Sequence, residues 1–257
     1  MTETNDDLGD REIAAALPGR PVRSYPAVLS TEAVAMAWAR QGAASGSVVV
    51  ADYQASPRGR GGLPWSVRPG HGLGFSLLVR PDLPPEREGW PYVAALMALH
   101  DVLGGVETGC AWPDTVHAGG GAVLARLGAY VELGPARTEW VSATALVEDA
   151  TPPRARLLAR LVEAVEQRLA QPTHQVLGDY LPCCTTLGQQ VRARLIPMGP
   201  GGPEVSGEAV DVLADGALVI VTGRGNRVAV PPHNLGLLGE PTGPPEPPER
   251  LLGRAKP

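Results

Sequence analysis

The sequence predicts an α+β protein in which a mixed sheet flanked by helices precedes a small C-terminal β-barrel. As far as about residue 186, apolar β-branched runs alternate with segments of helical periodicity. Beyond that point the apolar period changes to two, and four or five short strands with tight turns follow within roughly fifty residues. We therefore expect two domains, 21–186 and 187–238, between a disordered lead-in at 1–20 and a disordered proline-rich tail at 239–257.

The first half of the chain supplies two helices and two strands. Ser30 begins a helix, because its hydroxyl can cap the first turn and apolar residues then recur at helical spacing. Residues 47–53 form an apolar, β-branched run typical of a buried strand, and 72–80 form a second run that ends at Pro81. Trp90 and the proline after it open another helix.

The second half continues with a hairpin and the clearest helix of the chain. Residues 122–133 and 138–147 are strand-like and meet through a turn that contains glycine and proline. The helix that starts after Thr151 carries an apolar stripe opposed by arginine and glutamate side chains. A shorter helical piece covers 172–181 and leads into the predicted barrel.

Composition excludes several classes of function. With 257 residues, of which 44% are hydrophobic and 19% charged, the chain is of the soluble globular type. A net charge of −5 argues against a general nucleic-acid binder, and there is no run of ~18 apolar residues that would predict a membrane span. The lead-in, with a short helix at 11–17 at most, is too short for a helix-turn-helix module, so we expect no DNA-binding domain there.

The cysteines predict a reduced, cytoplasmic protein. Cys110, Cys183 and Cys184 are odd in number and lack the spacing of a disulfide framework. The vicinal pair also lacks metal-ligand spacing, so we interpret it as a packing pair at the domain junction and expect no metal centre. His100, on an apolar helical stripe, is interpreted as a core histidine.

The loop after the first predicted strand is the strongest candidate for a binding site. It contains Gln54, then Arg58-Gly59-Arg60, and ends at Trp65; we call it the Arg-Gly loop. Arginine offers a planar donor fork to phosphate or carboxylate, and glycine lets the backbone come close to a ligand. A flexible solvated loop or a basic spot for nucleic acid is the alternative. The buried strand before the loop and the tryptophan at its end favour anion binding.

Together with three other segments, this loop resembles the bacterial biotin protein ligases over roughly residues 24–238. Ser30-Thr31 matches the Ser-Thr that opens the first core helix of that family. Trp112-Pro113-Asp114 matches part of a Lys-Trp-Pro-Asn-Asp motif, and residues 184–191 match a Cys-x-Thr-Leu-Gly entry to the C-terminal domain. The resemblance implies a sheet like that of class II aminoacyl-tRNA synthetases and an SH3-like C-terminal barrel.

The same resemblance implies a reaction and a set of site residues. The family joins biotin to ATP as biotinyl-AMP, with Mg²⁺, and then biotinylates one lysine of a carboxylase carrier domain; we expect a monomer or homodimer and no nucleic-acid or membrane partner. By analogy, Arg58 and Arg60 are the catalytic residues. The predicted biotin-binding residues are Ser30, Thr31, Gln54, Arg58, Gly59 and Arg60, and the predicted nucleotide-binding residues are Gly61, Trp65, Trp112 and Asp114.

Several departures from the family pattern affect positions that are expected to bind phosphate. The lysine of Lys-Trp-Pro-Asn-Asp is Ala111 here, and the lysine of a second motif, Lys-Leu-Ala-Gly-Ile-Leu, falls on Gly119. Pro57 replaces a loop glycine and removes one N–H donor. The sole lysine of the chain is Lys256, in the predicted tail. Losing one electrostatic stabiliser of this kind commonly lowers the rate by ~10²–10³.

Three hypotheses therefore remain open from the sequence. The chain is a divergent working biotin protein ligase, a catalytically silent homologue that binds biotin or a carrier domain, or a ligase-fold enzyme with another acyl substrate. The persistence of the Gln…Arg-Gly-Arg loop and of both predicted domains favours the first.

Overall fold

The computed structural model describes residues 7–60, 65, 72–105, 107–151, 153–198 and 202–240. The predictions for Gly61, and for the tail after residue 240, lie outside these residues. The described helices are α1 (Asp10–Ala16), α2 (Thr31–Arg40), α3 (Trp90–Leu103), α4 (Arg154–Ala170) and α5 (Thr173–Cys183). The described strands are β1 (Val22–Val28), β2 (Ser47–Gln54), β3 (Leu73–Val79), β4 (Thr108–Ala111), β5 (Thr115–Ala118), β6 (Val123–Leu133), β7 (Thr138–Val147), β8 (Gln190–Leu195), β9 (Glu204–Val212), β10 (Leu218–Thr222), β11 (Arg227–Val230) and β12 (Leu235–Gly239).

The first seven strands form one mixed sheet, in the order β1-β2-β3-β7-β6-β5-β4. Strands β1 and β2 pair in parallel, and every other neighbouring pair in this sheet is antiparallel. The predicted mixed sheet with flanking helices is therefore confirmed. Among the described residues, no helix is long and apolar enough to cross a membrane.

The two faces of this sheet differ in chemistry. On one face, Val50, Phe75, Leu77 and Val141 join the apolar core against α3 and α4. Burying each such large side chain stabilises the fold by about 1.5–3 kcal/mol. On the other face, which we call the α2 face, helix α2 packs against β2, β3 and β7, and Trp140 belongs to a small separate apolar cluster there.

Strands β8–β12 form a second, antiparallel sheet in the order β11-β10-β9-β8-β12. It docks against the first sheet at Trp112, whose indole N–H donates to the Gly216 carbonyl at 3.0 Å and whose backbone N–H donates to the Thr186 hydroxyl at 2.9 Å. The described strands form an open sheet, so the predicted closed barrel is not found among them. The division of the chain at 186 and 187 stays a prediction.

The predicted disorder of the lead-in does not hold for residues 7–20. A helix does lie close to the predicted position, but Leu8, Ile13 and Leu17 are buried in the main core. Asp7 accepts hydrogen bonds from the backbone N–H and the side chain of Arg154, at 2.7 and 2.8 Å. The lead-in is ordered because it covers one side of α4 and neutralises a buried guanidinium.

Candidate functional site

A buried polar network lies where α2 begins on the sheet. The backbone N–H and the hydroxyl of Thr31 both donate to Oε1 of Gln54, at 2.8 and 3.1 Å. Ser76 donates to the Thr31 hydroxyl at 3.0 Å, and the Thr144 hydroxyl lies 2.7 Å from Ser76. All four side chains are at most 3% exposed. Buried polar groups that are mutually satisfied hold one another in a single arrangement, so the end of β2 and the start of α2 are fixed together.

Ser30, predicted to bind biotin, is the N-cap of α2. Its backbone is extended, and its hydroxyl accepts from the N–H of Ala33 at 3.5 Å. This confirms the predicted helix start and gives Ser30 a structural role. The predicted residues Thr31 and Gln54 are brought together by the network.

Strand register places a second group of side chains on the α2 face. Ser76 is opposite Thr144, and Thr144 is opposite Gly128. One pleat further along, Gly74 is opposite Leu146, and Leu146 is opposite Arg126. Side chains two residues apart on a strand share a face, so Arg126 lies on the same face as the buried network.

The glycines of these rows let other groups approach the sheet. A Cβ at position 74 would overlap the amide nitrogen of Gln54, so the absence of a side chain allows Gln54 to lie across β3. A Cβ at position 128 would come within 3.0 Å of the Gly59 carbonyl carbon and 3.1 Å of the Arg60 nitrogen. The Arg-Gly loop therefore crosses the α2 face directly above Gly128.

Trp65 holds this loop in shape. Its backbone N–H donates to the carbonyl of Pro57 at 3.0 Å, and a Cβ at position 59 would overlap its indole ring. Trp65 was predicted to bind the nucleotide, and in the structure it packs against the loop itself. The nucleotide contact stays a prediction.

The two loop arginines have different environments. Arg58 is exposed, whereas Arg60 is 6% exposed. Nε of Arg60 lies 2.9 Å from Oδ2 of Asp114, and its guanidinium also donates to the carbonyls of Leu235 and Gly236 in the second sheet. Arg60 and Asp114, both predicted to contact ligand, thus form an ion pair that ties the loop to the second sheet.

Glu32, in the first turn of α2, is an ionisable group that the sequence analysis did not select. Burial raises the pKa of its carboxyl to about 7, and the positive charge of Arg58 acts in the opposite direction. A neutral carboxyl would not repel a carboxylate or phosphate, the ligands predicted for the neighbouring Arg-Gly loop.

Trp112, predicted to bind the nucleotide, is 2% exposed and packs between the two sheets. The ring lies between the two sheets in this structure, and the predicted nucleotide contact stays a prediction. Ala111 is the neighbouring residue on β4. Gly119 lies in the turn after β5, where a Cβ would be 2.9 Å from the Cβ of Glu107.

No protein-family model matches the chain. The biotin–[acetyl-CoA-carboxylase] ligase of Mycobacterium tuberculosis is 32% identical over 241 residues, which are 84% of this chain and 89% of that protein. This chain belongs to the biotin protein ligase family. A shorter match, 34% identical over 94 residues, joins 35% of the chain to 28% of the bifunctional ligase/repressor BirA of Bacillus spizizenii.

Solved structures of biotin protein ligases share the fold. The Aquifex aeolicus biotin protein ligase in complex with biotin and ATP has a TM-score of 0.60 at 18% identity, and the match covers 86% of this chain and 99% of that one. A biotin protein ligase-like protein of unknown function from Silicibacter sp. TM1040 has a TM-score of 0.62 at 14% identity, covering 84% and 96%.

Sequence reasoning missed four residues of this candidate site. Ser76 and Thr144 are hydroxyl residues inside otherwise apolar strands, and that exception to the pattern was a usable signal. Glu32 gave no signal, because an acidic residue in the first turn of a helix is common. Arg126 gave no sequence signal either, because only strand register locates it on the α2 face.

Proposed function

We propose that this chain is an ATP-dependent biotin protein ligase that forms biotinyl-AMP and transfers the biotinyl group to a lysine of a carboxylase carrier domain. Family membership supports this activity. The observation that carries it is the arrangement of the α2 face: a buried Thr31–Gln54–Ser76–Thr144 network lies beside a loop whose backbone at Gly59 and Arg60 lies against Gly128.

The network and the loop suit the two ends of biotin. The cyclic urea of biotin has N–H donors and a carbonyl acceptor, and hydroxyl and amide side chains can pair with both. Ser142 lies next along β7 on the same face, and its buried hydroxyl has no hydrogen-bond partner among the described residues. The carboxylate at the other end would lie under the Arg-Gly loop, where N–H groups and arginine stabilise negative charge.

Adenylation requires that two anions meet. A carboxylate oxygen of biotin attacks the α-phosphorus of ATP, the new O–P bond forms, and the bond to the β-phosphate breaks to release pyrophosphate. The site must hold the reactants in line and stabilise the charge on the pentacoordinate phosphorus. In the second step a lysine amine attacks the biotinyl carbonyl, loses a proton and expels AMP.

Arg58 and Arg126 are the cations that we propose for this stabilisation. Arg58 is exposed on the loop itself. Arg126 precedes Gly128 by two residues, about 7 Å along β6, on the face over which the loop passes. Its half-exposed ion pair with Glu148, at 3.2 Å, is of a kind that is worth about 0–1 kcal/mol, so a phosphate can compete with the glutamate.

In this proposal Arg126 supplies the positive charge of the family lysine that the sequence comparison placed at Gly119. A side chain at position 119 would meet Glu107 in a hairpin turn, whereas the glycine that touches the loop is Gly128. If Gly128 corresponds to the glycine of the Lys-Leu-Ala-Gly-Ile-Leu motif, the motif begins at Ala125, and Arg126 is the adjacent cation.

Arg60 has a positioning role in this proposal. Its ion pair with Asp114 and its hydrogen bonds to β12 carbonyls fix the position of the Arg-Gly loop over the first sheet. Oδ2 of Asp114 is occupied by Arg60 and Oδ1 accepts from Thr115 at 3.1 Å, so the residues present do not form a dedicated magnesium site. Mg²⁺ would enter as the magnesium complex of ATP, held by substrate phosphates.

The second sheet is proposed to be the SH3-like domain of the family. Its five antiparallel strands follow the catalytic-type sheet in the expected order, and its β12 carbonyls contact the ligand loop through Arg60. If a carrier domain docks on the second sheet, this contact would transmit the docking to the position of the Arg-Gly loop.

The test is ATP–pyrophosphate exchange with the full chain, with and without biotin. Biotin-dependent exchange is expected, and Arg58→Ala should lower it by ~10²–10³. Arg137→Ala, which changes an exposed arginine in the β6–β7 turn, is the matched control and should leave the rate unchanged. Exchange without biotin dependence would refute the proposal.

A catalytically silent biotin-binding homologue is the second candidate. It is favoured by Ala111 and by the ion pair of Arg60, which together leave fewer cations for a triphosphate. Biotin binding measured by calorimetry, combined with no pyrophosphate exchange, would support this candidate over the ligase.

A further inference from the structure

Four soft or borderline ligand groups converge on the side of the first sheet that lies away from α2. One ring nitrogen of His100 and the sulfur atoms of Cys110 and Cys183 all lie within 4.8 Å of one another. The sulfur of Met97 lies 3.9 Å from the sulfur of Cys183. These groups come from three elements, α3, β4 and the end of α5, so the cluster is not a local sequence motif.

The vicinal cysteines, interpreted from sequence as a packing pair, point to different partners. Cys184 lies 3.5 Å from the Tyr180 hydroxyl and is not part of the group. Cys183 lies with His100 and Cys110, and its thiol donates to the Tyr180 carbonyl at 3.2 Å. The two neighbouring cysteines therefore belong to different groups of side chains.

We propose that His100, Cys110 and Cys183 bind one thiophilic cation, Zn²⁺, independently of the ligase site. Zinc bonds of ~2.3 Å to sulfur and ~2.0–2.1 Å to nitrogen place tetrahedral ligand atoms about 3.5–3.8 Å apart, so the group needs to contract by only about 1 Å. The fourth position is taken by water or by Met97. Binding displaces the thiol protons to solvent as the two Zn–S bonds form.

Two further features suit a metal site. The hydroxyl and carbonyl of Thr108 lie 3.1 and 3.5 Å from Nε2 of His100. A cation bound through Nδ1 would leave the Nε2–H to donate to Thr108, and a partner of this kind fixes the ring of a metal-binding histidine. Met97 and His100 also line an open depression of about 610 Å³, which gives an ion a path from solvent.

The site would brace the junction of the two sheets. Cys110 precedes Trp112 by two residues, and the backbone N–H of Thr185 donates to the Cys110 carbonyl at 2.9 Å. A cation that joins β4 to α3 and α5 would therefore restrain the segment that carries Asp114 to Arg60.

The experiment titrates the full chain, kept reduced, with Co²⁺ as a spectroscopic probe and with Zn²⁺ against a chromophoric chelator. We expect one ion per chain, thiolate-to-cobalt absorption, and a melting temperature that rises with Zn²⁺. Cys183→Ser and His100→Gln, both at partly exposed positions, should each weaken binding by at least about 100-fold, more than the loss of a mere supporting partner.

Cys184→Ser is the matched control, because it changes the adjacent buried thiol, which lies outside the group. The variant should bind Zn²⁺ with the same affinity as the unchanged protein. No stoichiometric binding, cobalt binding without thiolate bands, or equal weakening by Cys184→Ser would each overturn the proposal. Circular dichroism of every variant separates a lost ligand from a lost fold.

Discussion

Glu32 gives the stability of the protein a pH dependence that one substitution should remove. Burial raises the pKa of its carboxyl from the ordinary 4.5 to about 7, although Arg58 lowers it. Because the folded state holds this proton more tightly than the unfolded chain does, the stability that Glu32 contributes is complete below pH 4.5 and is lost as the pH rises through 7. Glu32→Gln keeps the size of the side chain and cannot ionise.

The size of the effect follows from the two pKa values. The difference between 4.5 and about 7, at about 1.4 kcal/mol for each pH unit, corresponds to about 3 kcal/mol. Glu32 is only partly buried, and solvent screening reduces the expected value to about 1–2 kcal/mol. At pH 8, Glu32→Gln should raise the free energy of unfolding by that amount, and the gain should shrink toward zero near pH 4.5.

The assay is urea unfolding at several pH values between about 5 and 8, followed by tryptophan fluorescence. Glu163→Gln, which changes an exposed carboxyl on α4, is the control and should shift the free energy of unfolding by less than about 0.5 kcal/mol at every pH. An equal gain for Glu32→Gln at both ends of the range, or none at pH 8, would refute the reasoning.

Three further predictions test the site and the fold. Arg126→Ala should lower biotin-dependent pyrophosphate exchange by ~10²–10³, and an unchanged rate would exclude Arg126 from the phosphate chemistry. Gly128→Ala should weaken biotin binding in calorimetry by about tenfold, because the new Cβ pushes on the loop at Gly59, whereas Gly105→Ala, where a Cβ meets nothing within 4 Å, should not. Asp7→Asn should lower the free energy of unfolding at pH 7 by at least about 2 kcal/mol, because it weakens the pairing of the buried Arg154 guanidinium. Urea unfolding measures this difference. A change below about 0.5 kcal/mol would mean that the lead-in is not part of the core.

Local pattern was sufficient for the elements whose own residues bury one face or cap an end. The strand at 138–147 has its predicted bounds in the structure, as β7, and the helix that Trp90 opens begins at the predicted residue, as α3. Both are predominantly apolar segments, buried on more than one side, and proline, glycine or a short turn delimits them. The same reading selected the Arg-Gly loop, whose role in binding a ligand stays a prediction.

Local pattern failed where an element depends on a distant partner. Strand β1 contains Arg23 and Pro26 and is only partly buried, so pairing with β2 decides its conformation. The lead-in is ordered because Asp7 meets Arg154, which is 147 residues away along the chain. Neither the β1–β2 pairing nor the contact of Asp7 with Arg154 can be detected within a window of a few residues.

The sequence by itself determined the fold class, the family resemblance and the loop that carries Arg58 and Arg60. Tertiary structure alone decided which charges face which partner: Arg60 turns to Asp114 and the second sheet, Arg126 lies on the α2 face, and Cys110 joins Cys183 and His100. The reason is that strand register and sheet docking bring together residues far apart in the chain, and a shift of one residue along a strand would send each side chain to the opposite face.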